Sequence, residues 1–320
     1  MPTLPPIEEL DAAARIVYAA MPPTPQYAWP LLARRAGCEV WVKHENHTPI
    51  GAFKVRGGLV YMDRLKRERP QVKGVVSATR GNHGQSIAFA ASRAGVSATV
   101  VVPHGNSVEK NAAMRAFGAE LLERGHDFDA AKEAAIAIAA ERGLEMVPSF
   151  NLDLVRGVAS YSLELLRAAP DLDTVYVPIG LGSGICGMIA ARDALRLKTN
   201  VVGVVATGAP AYALSLAAGK VVTTNAADTF ADGVAVRGPD QQALDIIRAG
   251  VARIVQVSEA EIGAAMRAYY EDTHQLVEGA GACPLAALLQ ERESMRGRKV
   301  GIVLSGGNID RPLYTRIVGE

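Results

Sequence analysis

The sequence predicts an α/β protein made of two open parallel-sheet lobes with helices on both faces. Three observations carry that expectation. Apolar, β-branched runs of strand length alternate with helical patterns along most of the chain, which implies right-handed crossovers and parallel pairing. Glycine-rich turns follow several of the apolar runs, where α/β sheets bind their ligands. Finally, 320 residues with 49% hydrophobic content can bury a large core but exceed the comfortable size of one compact unit, so a cleft between two lobes is the expected site.

The elements follow in order. Residues 7–20 and 29–36 read as helices around the turn Pro22-Pro23-Thr24-Pro25, and Glu39-Val40-Trp41-Val42-Lys43 alternates like a strand. A helix runs from residue 57, then strand 74–78, helix 86–93, strand 98–102, helix 107–117, strand 120–122, helix 127–142 and a short strand at 145–147. Past Pro148 the alternation restarts with helix 153–168, strand 174–178, helix 184–197 and strand 200–205. Helices near 210–219, 240–248, 258–273 and 280–291 follow, with strands near 253–257 and 299–304. Residues 49–149 are expected to form the smaller lobe. Residues 1–48 and 150–320 are assigned to the larger one, because a chain with a key lysine early and a serine loop late must bring its two ends together.

Charge excludes several partners. With 34 basic and 33 acidic residues, dispersed along the chain, the net charge is +1. No field is present to attract nucleic acid or an anionic membrane, so a small-molecule ligand is expected. Cys38, Cys186 and Cys283 are odd in number and widely spaced, which argues against a disulfide framework or zinc site and for the reducing cytoplasm. The segment Met1 to Leu10 lacks the features of an export signal, and no apolar run reaches membrane-spanning length.

Four segments carry the chemistry. The first is Gly51-Ala52-Phe53-Lys54-Val55-Arg56-Gly57-Gly58, and the second is Ala78-Thr79-Arg80-Gly81-Asn82-His83-Gly84-Gln85-Ser86. The third is Pro178-Ile179-Gly180-Leu181-Gly182-Ser183-Gly184-Ile185-Cys186-Gly187, and the fourth is Ser305-Gly306-Gly307-Asn308. Backbone N–H groups at a helix start bind anions and glycines allow close approach, so Gly180 to Gly184 reads as a phosphate cradle. No Gly-Lys-Ser/Thr follows it, and the dinucleotide fingerprint fails at Ile185, where a glycine is wanted. A lysine that forms a Schiff base must be deprotonated at neutral pH, which burial or nearby positive charge brings about. Arg56 and the dipole of the cradle are expected to assist Lys54 in this. Asn82 offers either a ligand-binding amide or a helix cap. His83 alone more often serves structure, and Ser305 offers a neutral hydroxyl at the end of an apolar strand.

At these residues the sequence resembles the pyridoxal-phosphate enzymes of the tryptophan-synthase β fold, fold type II, in the serine/threonine dehydratase and serine racemase branch. The lysine, the Asn loop, the glycine cradle, Glu278-Gly279-Ala280-Gly281-Ala282 and the terminal Ser-Gly-Gly-Asn occur in that family's order. The resemblance implies pyridoxal 5'-phosphate as cofactor, with Lys54 holding it covalently and carrying protons and Phe53 packed near its ring. It implies Asn82 on the ring hydroxyl, Gly180, Leu181, Gly182, Ser183 and Gly184 around the phosphate, Ser305 on the pyridine nitrogen and Glu278 as a polar residue beside the ring. Thr79, Arg80, Gly81, Asn82 and His83 would lie along the loop that receives the substrate carboxylate. A homodimer is also implied. The expected reaction is β-elimination from a 3-hydroxy amino acid such as L-threonine or L-serine, giving a 2-oxo acid and ammonia. A neutral serine at the ring nitrogen favours elimination over reactions needing a fully developed carbanion.

Departures from the family pattern sharpen the reading. Arg80 stands where racemases carry a serine; a guanidinium is a poor proton acceptor, so racemisation is not expected. Arg80 instead could pair with an extra carboxylate, which makes 3-hydroxyaspartate or another substituted 3-hydroxy amino acid the alternative substrate. Val205 and Ala211 cannot ligate the divalent cation some relatives bind, so no metal is expected. Ala52 and Ile50 replace hydroxyl residues common near the lysine. The sequence ends at Glu320, so no appended regulatory domain is expected. A β-replacement enzyme, a non-catalytic cofactor-binding sensor and, most remotely, an NAD oxidoreductase are the competing functions.

Overall fold

The structure, a computed structural model, describes residues 4–319. Met1 to Thr3, which begin the segment read as lacking an export signal, lie outside the described residues, as does Glu320. The elements run α1 (Ile7–Tyr18), β1 (Gln26–Ala28), α2 (Pro30–Ala36), β2 (Glu39–His44), α3 (Lys54–Glu68), β3 (Gly74–Ala78), α4 (Asn82–Arg93), β4 (Ser97–Val102), α5 (Val108–Ala116), β5 (Glu120–Glu123), α6 (Phe128–Arg142) and β6 (Glu145–Met146). They continue as α7 (Leu152–Ala168), β7 (Thr174–Pro178), α8 (Ser183–Ala194), β8 (Asn200–Ala206), α9 (Ala211–Ala218), α10 (Gln241–Gly250), β9 (Arg253–Val257), α11 (Glu259–Thr273), α12 (Gly279–Gln290), α13 (Arg292–Met295), β10 (Lys299–Leu304) and α14 (Arg311–Val318).

Two sheets result. The larger has strand order β1-β2-β10-β7-β8-β9, the smaller β5-β4-β3-β6. Alternate residues of one strand enter different cores: Val202 and Val204 pack with Ile262 of α11 and Leu285 of α12, whereas Val201 and Val205 pack with Val158 of α7, Ile185 of α8 and Ile247 of α10. The smaller sheet repeats the plan, with Val75 and Val100 facing Val60 of α3 and Ile87 of α4, and Val76 and Val101 facing Ala131 and Ala135 of α6. Both faces are therefore covered by helices, as parallel strands with continuous apolar sequence require.

Several details differ from expectation, among them α4, which begins at Asn82 rather than at residue 86. The larger sheet is mixed, because β1 pairs with β2 antiparallel, Tyr27 opposite Val42. A three-residue strand is too short to show alternation, and the proline-rich turn ahead of it hid the reversal. Helix α3 begins at Lys54 itself rather than at residue 57, since Gly57 and Gly58 sit inside it, packed against the backbones of Leu154 and Ser86. Helix α14 is read in the sequence only as the chain's end. Among the described residues no helix is long and apolar enough to cross a membrane.

Candidate active site

The ends of the chain meet at the lysine. Gly51 turns at φ 68°, its carbonyl accepts from the Gly307 N–H (2.9 Å), and the Phe53 N–H donates to the Ser305 carbonyl (3.0 Å). Ala52 forms an isolated antiparallel bridge with Gly306. These bonds splice the first turn of α3 onto the loop after β10, so Lys54 and Ser305 share one wall although they come from opposite ends of the sequence.

The glycine turn after β7 is shaped by close approach. A Cβ on Gly180 would lie 2.3 Å from the Gly233 carbonyl oxygen, and Gly182, at φ 104°, has no room beside Ala243, 2.8 Å from such a Cβ. Tyr212 donates to the Leu181 carbonyl (2.9 Å) and Tyr161 to that of Gly184 (3.2 Å), which steadies the loop. The Cys186 N–H bonds the Gly182 carbonyl at 3.0 Å, so the N–H groups of Ser183, Gly184 and Ile185 form the open start of α8. A helix start of this kind attracts an anion.

Phe53, Lys54, Asn82, Gly180, Leu181, Gly182, Ser183, Gly184, Glu278 and Ser305 all line one cavity of about 360 Å³, together with Pro178, Gly233 and Ala280. Every residue named from sequence for the cofactor is thus brought together. Phe53 stands edge-on to Tyr161, 6.0 Å between ring centroids, and the Lys54 ammonium lies 4.9 Å from the Phe53 ring.

Burial lowers the Lys54 amine to about 8, against a smaller upward pull from the Glu278 carboxylate. Arg56 plays no part in this, contrary to expectation. Its guanidinium is fully buried and turned to the other side of α3, where Nε donates to Glu45 Oε2 (2.7 Å) and Nη1 to Glu164 Oε1 (2.6 Å). Lys43 completes this cluster, 2.5 Å from Glu164 Oε2. The charge two residues from Lys54 is neutralised inside the core, and desolvation alone lowers the lysine.

Asn82 is the first residue of α4, with Gly81 as its cap. Its amide spans the cavity: Nδ2 donates to Glu278 Oε1 (2.7 Å) and Oδ1 accepts from Asn308 Nδ2 (2.8 Å). Glu278 is buried, and burial raises its carboxyl, opposed by Lys110 and by the Asn82 hydrogen bond. His83 is buried with Nε2 unbonded; burial, then the nearby Lys54 charge, lowers it to about 3, so the ring is neutral.

The rest of the Asn loop is braced from within. Thr79 Oγ1 accepts from the N–H groups of Gly81 (3.0 Å) and Gly84 (3.2 Å), so Thr79 shapes the loop. Arg80 reaches across the cleft to Asp232 Oδ1 (3.3 Å). Sequence reasoning did not single out Lys110, Asp232 or Gly233. A lysine on an exposed-looking helix and an Asp-Gly pair in the irregular stretch before α10 resemble ordinary solvated residues, and only the fold carries them to the site.

Comparison with known proteins agrees with this geometry. The family described as "Pyridoxal-phosphate dependent enzyme" matches residues 17–306. The L-threonine ammonia-lyase of Geobacter sulfurreducens is 41% identical over 87% of this chain and 69% of its own length. That of Thermotoga maritima is 33% identical over 98% of this chain and 78% of its own. Among solved structures, the processed form of threonine deaminase isoform 2 from Solanum lycopersicum superposes with a TM-score of 0.90 at 29% identity, covering 100% of this chain and 91% of that one. The fold is that of the fold type II enzymes, and the chain belongs to the pyridoxal-phosphate dependent enzyme family.

Proposed function

We propose that the protein is an ammonia-lyase that removes the β-hydroxyl and then the amino group of a 3-hydroxy amino acid such as L-threonine or L-serine, releasing a 2-oxo acid and ammonia. The observation that carries this reading is the single cavity in which Lys54, Asn82, the Gly180–Gly184 turn and Ser305 converge. Its residues fit pyridoxal 5'-phosphate. The turn has no room for a side chain at Gly180 or Gly182, it ends on an open helix start suited to a phosphate, and a lysine with a lowered pKa lies in the same cavity. When bound, the cofactor supplies an electron sink for the charge that develops at the substrate α-carbon.

The chain's own groups divide the remaining work. Lys54 Nζ, more of which is unprotonated at neutral pH because of its burial, would hold the cofactor and, once the substrate amine has displaced it, take the α-proton. Phe53 shields it from water. Ser183, Gly184 and Ile185 hold the phosphate through their N–H groups. Asn82 has one amide hydrogen left after its bond to Glu278, and that hydrogen is suited to the ring hydroxyl. Ser305 presents a hydroxyl rather than a carboxylate, so the ring nitrogen is left unprotonated and elimination is favoured. The N–H groups at the start of α4 suit the substrate carboxylate. Arg80, held by Asp232, is no proton acceptor, which supports elimination over racemisation.

In this reading residues 1–48 and 150–320 form the larger, cofactor-binding lobe, which supplies the Gly180–Gly184 turn, Glu278 and Ser305, and the smaller lobe, residues 49–149, supplies Lys54, Phe53 and the substrate loop. Residence in the cytoplasm accords with three buried free cysteines. Assembly as a homodimer rests on the family resemblance, and sedimentation of the purified protein tests it. The activity is tested by offering the cofactor-loaded protein each enantiomer of serine, threonine, phenylserine and 3-hydroxyaspartate and measuring 2-oxo acid and ammonia together. Equal release of both from L-threonine or L-serine is expected. Binding without release would turn the reading to a sensor, and product formation only with an added thiol would turn it to β-replacement.

A further inference from the structure

Two basic groups close to the lysine cavity, Arg80 two residues before Asn82 and Lys110 beside Glu278, already hold a carboxylate of the protein itself. Arg80, in the loop before α4, lies 3.3 Å from Asp232 Oδ1, and Lys110 Nζ, from α5, lies 3.3 Å from Asp232 Oδ2. Lys110 Nζ also stands 3.9 Å from Glu278 Oε2. Two cations from the side of the smaller sheet thus meet two carboxylates from the side of the larger, and the cluster is neutral. Its position matters as much as its balance. Gly233, next to Asp232, lines the lysine cavity, and Asp232, Lys110 and Glu278 line a second cavity of about 400 Å³ that shares Glu278 and Ala280 with it.

We propose that Asp232 is a specificity-determining residue, which by holding Arg80 and Lys110 reserves the site for amino acids with an uncharged side chain and turns away those with a second carboxylate. This rests on the reading of the site as one for 3-hydroxy amino acids. Arg80 without a partner would receive a distal carboxylate through two parallel hydrogen bonds. With Asp232 in place, an incoming carboxylate must displace it, and Asp232 is then left near Glu278 without its cations. Discrimination of this kind works by penalising the wrong ligand rather than by binding the right one more tightly. Replacing the Asp232 carboxylate by an amide keeps the shape and frees two cations that converge on one point, which makes a receptor for a second carboxylate.

The test uses cofactor-loaded wild type, Asp232→Asn, Asp232→Glu and the double variant Asp232→Asn/Arg80→Ala. L-alanine and L-aspartate lack the β-hydroxyl, so neither undergoes the elimination, and their binding is read as a saturable change in the visible absorbance of the bound cofactor. The affinity ratio of aspartate to alanine should rise at least about tenfold in Asp232→Asn, stay near wild type in Asp232→Glu, and fall back when Arg80 is also removed. The ratio of kcat/KM for 3-hydroxyaspartate and threonine should move the same way. A ratio unchanged in Asp232→Asn, or a gain that survives loss of Arg80, overturns the proposal, since a clasp that merely ties the two sheets together would alter stability but not charge preference. The absence of keto acid from every hydroxy amino acid would count against the proposed activity instead, and the alanine and aspartate titration would still decide the role of Asp232.

Discussion

The Asn82 amide donates to the Glu278 carboxylate at 2.7 Å, joining the first residue of α4 to the cap of α12 across the cavity. Because the Asn82 oxygen is occupied by Asn308, the amide is held in one orientation. Asn82→Ala leaves the buried Glu278 carboxyl without this donor and should lower stability by about 1–3 kcal/mol. Asn82→Asp should cost more, since it sets one carboxylate against another. Urea unfolding of the two variants, with and without cofactor, measures both; equal stability of the two would show that charge at this position does not matter.

Capture of the cofactor by the apoprotein should titrate with Lys54. With a folded-state pKa of about 8, roughly one lysine in ten is neutral at pH 7. Only the neutral amine attacks, so the rate should rise about tenfold per pH unit below 8 and level off above it. Stopped-flow absorbance across this range gives the profile. A midpoint near that of a solvated lysine would mean that water reaches the amine freely.

The glycine turn should be intolerant at one position and permissive at another. Gly180→Ala drives a methyl group to 2.3 Å from the Gly233 carbonyl oxygen, whereas a Cβ on Gly184 stands 3.4 Å from the Tyr161 hydroxyl, an ordinary contact. Strain of about 1–3 kcal/mol in the first case should weaken cofactor binding by about 5- to 150-fold. The second should change it by less than about threefold. Equilibrium dialysis of the cofactor against both variants compares them directly, and equal effects would count against the cradle geometry.

The buried cluster behind Lys54 should matter for folding more than for chemistry. Arg56→Met removes the guanidinium that bonds Glu45 at 2.7 Å and Glu164 at 2.6 Å, leaving the fully buried Glu45 carboxylate without its ion-pair partner while Glu164 keeps Lys43. Removing one member of a buried ion cluster costs about 3–5 kcal/mol. Chemical denaturation of the apoprotein reads this, and the pH profile of cofactor capture should keep its midpoint, because desolvation rather than Arg56 lowers the Lys54 amine.

Most of the elements were legible in the sequence because their signal is local. Strands such as Thr174–Pro178 and Lys299–Leu304 are continuous apolar runs, and the helices between them show small and apolar residues at helical spacing. Gln26–Ala28 was not legible: three residues carry no period, and only pairing with β2 makes them a strand. The start of α3 was misread because two glycines usually mark a turn, while here they permit close packing on α7 and α4.

The same division holds for the site. The alternation of apolar runs and helical patterns determined the fold class, and the motifs in their order determined the family resemblance, which in turn implied the residues around the lysine, since a cofactor that must be held at fixed points demands particular groups at the ends of particular strands. Only the tertiary structure decided which charges face one another. Arg56, two residues from Lys54, turns into the core toward Glu45 and Glu164, while Arg80 and Lys110 converge on Asp232, distant in sequence. The physical reason is that ion pairing depends on separations of a few ångströms between side-chain tips, which the packing of two sheets sets and the order of residues does not.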